Sequence, residues 1–303
     1  MKKIFIDGSA GTTGLKIYER LTSRKDIQLI TLTEQTRKDP NARRDALNSS
    51  DISFLCLPDD AAKESVSLIT NSGTAIIDTS TAHRVNPEWT YGLPELSGQR
   101  AKIHASKRVA NPGCHATGFI VLAAPLVENG ILGRDAKLSC FSLTGYSGGG
   151  KKMIAQYEDS ERDVLLDAPR QYGISQTHKH LPEMVKVCGL EYAPVFCPIV
   201  APYFAGMEVT ITLHDVDISA VKECYAEYYH EGVIRYVDGG DEGGFISAGK
   251  FAGRDDLEIS VYGSNERAIL VSRFDNLGKG ASGAAIQNMN ILLGLNETTG
   301  LNV

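Results

Sequence analysis

"KIFIDGSAGTTG", residues 3–14, decides how this chain is read. A short apolar run through Ile4, Phe5 and Ile6 ends in a turn carrying Gly8, Gly11 and Gly14. A helical pattern follows, with Leu15, Tyr18 and Leu21 recurring every third residue. A bound dinucleotide needs this order of parts: a tight turn, a backbone that comes close to the pyrophosphate, and helix N-terminal amides aimed at it. The spacing is GxxGxxG rather than GxGxxG, so the motif takes its weight from its place after the first strand. The plainer alternative is a glycine-rich strand-to-helix turn with no ligand.

Working outward, the pattern repeats. "IQLITL" at 27–32, "ISFLCL" at 52–57 and "AIIDTS" at 75–80 read as strands, and Asp59 is expected to cap a helix over "DAAKESVSLIT". This alternation predicts a parallel sheet covered by helices on both faces. After residue 130, "LSCFSLT", "MEVTITLHDVD", "LEISVYG" and "AILVSRF" alternate in part, with fewer helices between them. They predict a second, α+β domain around a mixed or antiparallel sheet. The segment 281–295 reads as a helix with Ala285, Met289 and Leu292 on one face. The fold class is therefore an α/β Rossmann domain plus an α+β domain.

The 303 residues are 42% hydrophobic and 22% charged, with a formal net charge of -6. That length suggests two domains. The mildly acidic balance argues against nucleic acid or an anionic membrane as partner. The N-terminal apolar run is too short for a signal peptide, and "FIVLAAPLV" at 119–127 is too short to span a bilayer. A cytoplasmic protein is expected. Six cysteines form no CxxC pair, which points to neither a zinc site nor a disulfide framework.

Two features bear on the nucleotide. Glu34, 20 residues past Gly14, stands where a carboxylate holds a ribose 2′-hydroxyl, favouring NAD. Arg37 and Lys38 follow it and favour the 2′-phosphate of NADP. The residues leave both open. "GYSGGGKK" fits G-x-x-x-x-G-K at Gly145, Gly150 and Lys151, yet Lys152 stands where a P-loop requires a Mg²⁺-binding Ser or Thr. The loop is expected to be an anion nest or a mobile glycine-rich turn.

Cys114 differs from Cys56, Cys140, Cys188, Cys197 and Cys224. Those five read as small hydrophobes in or beside strands, or on a helix for Cys224. Cys114 follows Asn111, Pro112 and Gly113, and "HATGFIVLAA" begins a helix that Pro125 is expected to kink or end. A thiol at a helix N-terminus ionises more readily, and the thiolate is the nucleophile. Such a thiol wants a base. "HKHLPE" supplies His178 and His180 with Glu183 close by; a surface turn ended by Pro182 is the plainer reading. His115 adjoins the nucleophile in sequence and is the weaker choice of base.

Taken together, "DGSAGTTG", "ANPGCHATG", "TGYSGGGKK", "HKHLPE" and "GKGASGAAIQN" resemble, in order from residue 3 to about 295, the shorter form of the N-acetyl-gamma-glutamyl-phosphate reductase family. The resemblance implies a fold like that of aspartate-semialdehyde and glyceraldehyde-phosphate dehydrogenases. A dinucleotide-binding domain would cover 1–113, joined by a C-terminal helix within 279–303, and a catalytic and oligomerisation domain 114–278. Cys114 would match the nucleophile and His178 the general acid/base. Tyr172, His180 and Glu183 would support the substrate. Arg84, in "DTSTAHR", would hold a substrate carboxylate or phosphate, although longer members read more like "DLSADFR". Gly8, Ser9, Gly11, Thr12, Thr13, Gly14, Arg37, Pro58, Ser80, Asn276 and Lys279 would contact the cofactor. The resemblance favours NADP(H), no metal, a small acyl-phosphate substrate and a homo-oligomer, dimer or tetramer. Rival readings are a sibling acyl-phosphate reductase, a nucleotide-binding regulator without chemistry, and the NTPase of the 145–151 loop.

Overall fold

The computed structural model describes all 303 residues, Met1–Val303. They fall into two compact units, Met1–Pro112 with Ala281–Leu301, and Gly113–Gly280 with Asn302–Val303.

The first unit is built by the alternation read above: β1 (Lys2–Asp7), α1 (Thr12–Thr22), β2 (Ile27–Ile30), α2 (Pro40–Ser49), β3 (Ile52–Leu55), α3 (Asp59–Ser67), β4 (Ala75–Asp78), β5 (Thr90–Tyr91), α4 (Gln99–Ala105) and β6 (Arg108–Ala110). Its sheet runs β2-β1-β3-β4-β6-β5, every pair parallel. Successive strand residues point to opposite faces. Ile4, Ile6, Ile52, Phe54 and Ile77 therefore pack with Ile17, Leu21 and Ile103 of α1 and α4, while Phe5, Leu55 and Ile76 pack with Ala46, Leu47 and Ala62 of α2 and α3. The last helix of the chain, α9 (Gly283–Leu292), joins the first of these clusters through Ala285, Ile286, Met289 and Ile291.

Two local expectations change. The buried face of α1 is Gly14, Ile17 and Leu21, and Leu15 is 40% exposed. Asp59 does not cap α3; Pro58 holds that position, and the Asp59 carboxylate accepts the Thr81 N–H at 2.9 Å and the Thr81 hydroxyl.

The second unit holds α5 (Cys114–Glu128), β7 (Ser139–Gly145), α6 (Gly150–Glu158), β8 (Arg170–Gln171), α7 (Leu181–Cys188), β9 (Val195–Ala201), β10 (Met207–His214), α8 (Ile218–Tyr228), β11 (Ile234–Tyr236), β12 (Leu257–Gly263) and β13 (Arg267–Phe274). Its mixed sheet runs β11-β12-β13-β10-β7-β9-β8, with β11–β12 and β7–β9 parallel and the other pairs antiparallel. Cys188 ends α7 rather than lying in or beside a strand.

The second unit's centre is α5. It lies so close to the sheet that a Cβ on Gly118 would stand 2.3 Å from Val209 Cγ2, which explains the glycine. Contrary to expectation, α5 runs on through Pro125. Proline has no N–H to return to the carbonyl four residues earlier, that of Val121. The Tyr229 hydroxyl donates to that carbonyl at 2.7 Å, and the Tyr225 hydroxyl donates to Leu122 O at 2.5 Å. Tyr229→Phe strands a buried carbonyl, and the loss is expected to be about 1–3 kcal/mol. Urea or thermal unfolding reads it; an unchanged midpoint would show that the hydroxyl is not needed.

Candidate active site

Cys114 is the first residue of α5, behind Gly113 in extended backbone (φ -80°, ψ 148°). The helix start has no side-chain cap and no acidic residue in its first turn. Its first amides thus have no partner within the helix and carry the positive end of the dipole. Glu183 on α7, only 1% exposed, accepts the Gly113 N–H at 3.2 Å and lies 4.0 Å from His180 Nε2. Gly280 completes the seat of the thiol: a Cβ there would stand 3.0 Å from Cys114 Cβ.

The segment leading into α7 brings a ring cluster to this place. His178 lies 4.8 Å from His180, 5.8 Å from Tyr172, 5.7 Å from His115 and 5.1 Å from Phe196, measured between ring centroids. Pro182 opens α7 rather than ending a surface turn, and His180 is buried. Cys114, Tyr172, His178, His180 and Glu183 thus come from three stretches of sequence into one site of this unit. Burial, followed by the charge of Lys179, holds the His178 imidazole below its ordinary range. The His180 N–H donates to His178 Nδ1 at 3.3 Å. That bond leaves the proton of the neutral ring on Nε2.

His115 faces inward from α5. Its Nδ1 lies 2.6 Å from Ser142 Oγ and its Nε2 2.6 Å from the Tyr172 hydroxyl. Burial, with His178 a smaller influence, pushes its pKa down to about 3, so the ring is neutral.

In the first unit, Gly8 (φ +90°) and Gly14 make the loop possible. A Cβ on Gly8 would stand 2.3 Å from Cys56 O, and one on Gly14 2.3 Å from Gly8 O. The loop opens on a cleft of about 540 Å³ whose lining includes Gly8, Ser9, Ala10, Glu34, Arg37 and Lys38. Gly11 precedes α1 with no side-chain cap, and Thr12, Thr13 and Gly14 form the first turn. Arg37 Nη2 lies 3.0 Å from Glu34 Oε1, so the two groups that argued for different nucleotides bind each other.

Other expected residues are committed elsewhere. Arg84 Nε donates to Asn111 O and Nη2 to Thr79 O, each at 3.0 Å, so much of its guanidinium braces the backbone. Ser80 donates to Asp78 at 2.7 Å, and Pro58 caps α3. In the second unit Asn276 accepts the Gly206 N–H and donates to Ser147 Oγ, both at 2.9 Å. Lys279 is fully buried in a π turn, Gly278–Ser282. The 145–151 loop is pinned, since the N–H groups of Gly145, Tyr146 and Ser147 donate to Gly206, Tyr203 and Phe204. Those three amides are spent, which removes them from an anion nest. No group of three or more His, Cys, Asp or Glu side chains is arranged to hold a metal ion.

Comparison with known proteins agrees with both units. Residues 3–105 match the semialdehyde dehydrogenase NAD-binding domain, and residues 114–276 the semialdehyde dehydrogenase dimerisation domain. The chain is 42% identical to N-acetyl-gamma-glutamyl-phosphate reductase 2 of a Nostoc species over 99% of both chains. It is 43% identical to the N-acetyl-gamma-glutamyl-phosphate reductase of Rhizobium etli, over 96% of this chain and 98% of that one. The chain belongs to the N-acetyl-gamma-glutamyl-phosphate reductase family. It is thus a member of a family of semialdehyde-dehydrogenase enzymes with a nicotinamide-cofactor domain. Aspartate semialdehyde dehydrogenase II of Vibrio cholerae, complexed with ASA, shares the fold at TM-score 0.72 and 15% identity, covering 97% of this chain and 98% of that one. The enzyme of Candida albicans solved with NADP does so at 0.69 and 15%, covering 97% and 99%. No helix is long and apolar enough to cross a membrane.

Sequence reading missed Ser142, Phe196 and Gly280. Ser142 and Phe196 lie on strands and carry no motif, Ser142 within the strand read as "LSCFSLT"; Gly280 sat in "GKGASGAAIQN".

The buried His115 has a consequence for acid stability. Its pKa is near 6.5 in an unfolded chain and about 3 here, so below pH 6.5 the unfolded chain takes up a proton that the folded one refuses. This contribution is complete above about pH 6.5 and is lost progressively towards pH 3. Between pH 7.5 and 5.0 the wild type should lose ~2 kcal/mol more than His115→Gln in paired unfolding measurements. Equal losses would assign the effect to another group.

Proposed function

We propose that the chain reduces N-acetyl-gamma-glutamyl phosphate to N-acetylglutamate 5-semialdehyde, with NADPH as cofactor and release of phosphate, as a step of arginine biosynthesis. The observation that carries this reading is a cysteine heading an uncapped helix beside His178, Tyr172, His180 and Glu183.

The Cys114 thiolate attacks the acyl carbon. A carbon–sulfur bond forms, the carbon–oxygen bond to phosphate breaks, and phosphate leaves with the electron pair, which gives a thioester on Cys114. When bound, a reduced nicotinamide supplies the hydride that takes the thioester to the aldehyde level. Amides at the head of α5 face the negative charge that develops on the acyl oxygen. The collapse of the tetrahedral adduct returns the electron pair to sulfur. His178 serves both proton movements. Its Nε2–H tautomer is set to donate, and taking the thiol proton at Nε2 requires a proton on Nδ1 in place of the 3.3 Å bond from His180, which is long enough to be weak.

The glycine loop fits a dinucleotide because Gly8 and Gly14 admit no Cβ and Gly11 puts no side chain at the cap of α1. Gly8, Ser9, Gly11, Thr12, Thr13 and Gly14 would hold the pyrophosphate half, with Pro58 and Ser80 at the ends of neighbouring strands. Asn276 and Lys279 are further proposed cofactor contacts. Arg37 and Lys38 favour NADP: Arg37 occupies Glu34, which otherwise would accept a 2′-hydroxyl. Arg84 would hold a substrate carboxylate or phosphate. Residues 1–113 with the C-terminal helix would form the nucleotide domain and 114–278 the catalytic and oligomerisation domain of a homo-oligomer. The likeness of 114–276 to a dimerisation domain supports this, as do Phe141 and Val195, exposed on the second sheet. The six cysteines form no disulfide framework, which suits the cytoplasm.

Phosphate-dependent reduction of NADP by N-acetylglutamate semialdehyde, with NAD in parallel, tests the reading in the reverse direction. Cys114→Ser should abolish turnover while leaving NADPH binding intact; a variant with near-normal rates would sink the nucleophile assignment. Arg37→Ala should raise KM for NADP(H) roughly tenfold and leave that for NAD(H) little changed, since one charge-assisted contact is lost.

A further inference from the structure

Ser142, His115 and Tyr172 form a hydrogen-bonded chain running from the sheet to the site. Ser142 on β7 is fully buried and His115 is 3% exposed, whereas Tyr172 is only partly buried. Ser142 Oγ lies 2.6 Å from His115 Nδ1, and His115 Nε2 lies 2.6 Å from the Tyr172 hydroxyl.

The direction of the chain follows from counting hydrogens. The ring is neutral, because its pKa lies near 3, and so carries one N–H. Suppose that N–H were on Nδ1. It would donate to Ser142, and the Ser142 hydroxyl hydrogen would be buried with no acceptor, because His115 is its only partner. Such an orphan costs about 1–3 kcal/mol. With the proton on Nε2, Ser142 donates to Nδ1 and Nε2–H donates to the Tyr172 oxygen. The one hydrogen left over is then the phenolic one, on the member that reaches solvent.

We propose that His115 is a positioning residue for the reductase reaction: through its Nε2–H it makes the Tyr172 oxygen an acceptor, and so turns the Tyr172 O–H outward as a donor to the acyl oxygen held at Cys114. The proposal rests on the reductase reading given above. Burial, and then the negative charge available at Cys114, keep the phenol protonated, so it remains a donor throughout. Ser142 sets the direction from behind. The ring of Phe196, 5.4 Å from that of His115, packs against the imidazole. His115 itself touches no reacting atom, which separates it from His178.

Two measurements test this. Nitrogen-15 spectra of histidine-labelled protein, with His115 assigned by its absence in His115→Gln, should show an unprotonated Nδ1 and a protonated Nε2; the opposite tautomer overturns the proposal whatever the enzyme turns over. In the second, kcat and KM are compared for His115→Phe, His115→Gln, Tyr172→Phe and the double variant His115→Phe/Tyr172→Phe. The loss of one donor to a developing oxyanion lowers kcat by ~10²-fold. His115→Phe and Tyr172→Phe should each approach that loss with KM little changed. The double variant should be no slower than Tyr172→Phe alone. His115→Gln, whose amide N–H can stand in for Nε2–H, should recover most of the rate. Multiplying losses in the double variant, or a His115→Phe that melts earlier at normal kcat, would overturn the proposal. An expected tautomer in an enzyme inert towards N-acetylglutamate semialdehyde and phosphate would instead sink the reductase reading alone.

Discussion

The hydrogen bond from the Gly113 N–H to the Glu183 carboxylate fixes where α5 begins. A buried carboxylate is tolerated only with donors around it. Here the donor is the cap amide of the very helix that starts with Cys114. Glu183 is therefore a peg from α7 that holds the start of α5. The same helix start orders His180, and the His180 amide reaches back to His178 Nδ1. One carboxylate thus sets the place of the thiol and, through two residues of backbone, the tautomer of the imidazole opposite it.

The glycine loop of the first unit rests on a comparable buried charge. Asp7 ends β1 at 4% exposure, and its Oδ2 accepts from Arg43 Nε and Nη2 at 3.2 and 3.1 Å and from Ser65 Oγ at 2.8 Å. Arg43 comes from α2 and Ser65 from α3, so both helices on that face of the sheet meet at the root of the loop. Removing one partner of such a pair leaves an uncompensated charge. The loop is therefore braced by polar contacts beneath a turn whose own side chains, those of Ser9 and Ala10, are small.

Much of this was legible in the sequence, and for identifiable reasons. Apolar runs punctuated by glycine gave the parallel unit because buried parallel strands must be apolar on both faces. Cys114 stood out because Pro112 and Gly113 mark a turn before a helical pattern. Legibility failed where a partner distant in sequence decided the outcome. Pro125 reads as a helix breaker until Tyr229, 104 residues on, supplies the missing donor. Asp59 reads as a cap until Thr81 takes its carboxylate. Leu15 reads as core because a period of three and a period of 3.6 diverge only slowly. Ser142 and Phe196 had no local signal at all: their place beside His115 comes from the packing of α5 on the second sheet.

The proline in α5 carries an evolutionary consequence. A helix normally owns its hydrogen bonds, so that any residue can replace any other at modest cost. Between Val121 and Pro125 one rung is lent by Tyr229, the residue that closes α8. Restoring an N–H at 125 would make two donors compete for one carbonyl, whereas losing the hydroxyl at 229 would leave none. A single exchange at either position therefore leaves that rung with too many donors or with none, whereas a joint exchange at 125 and 229 would return the helix to its own bonds.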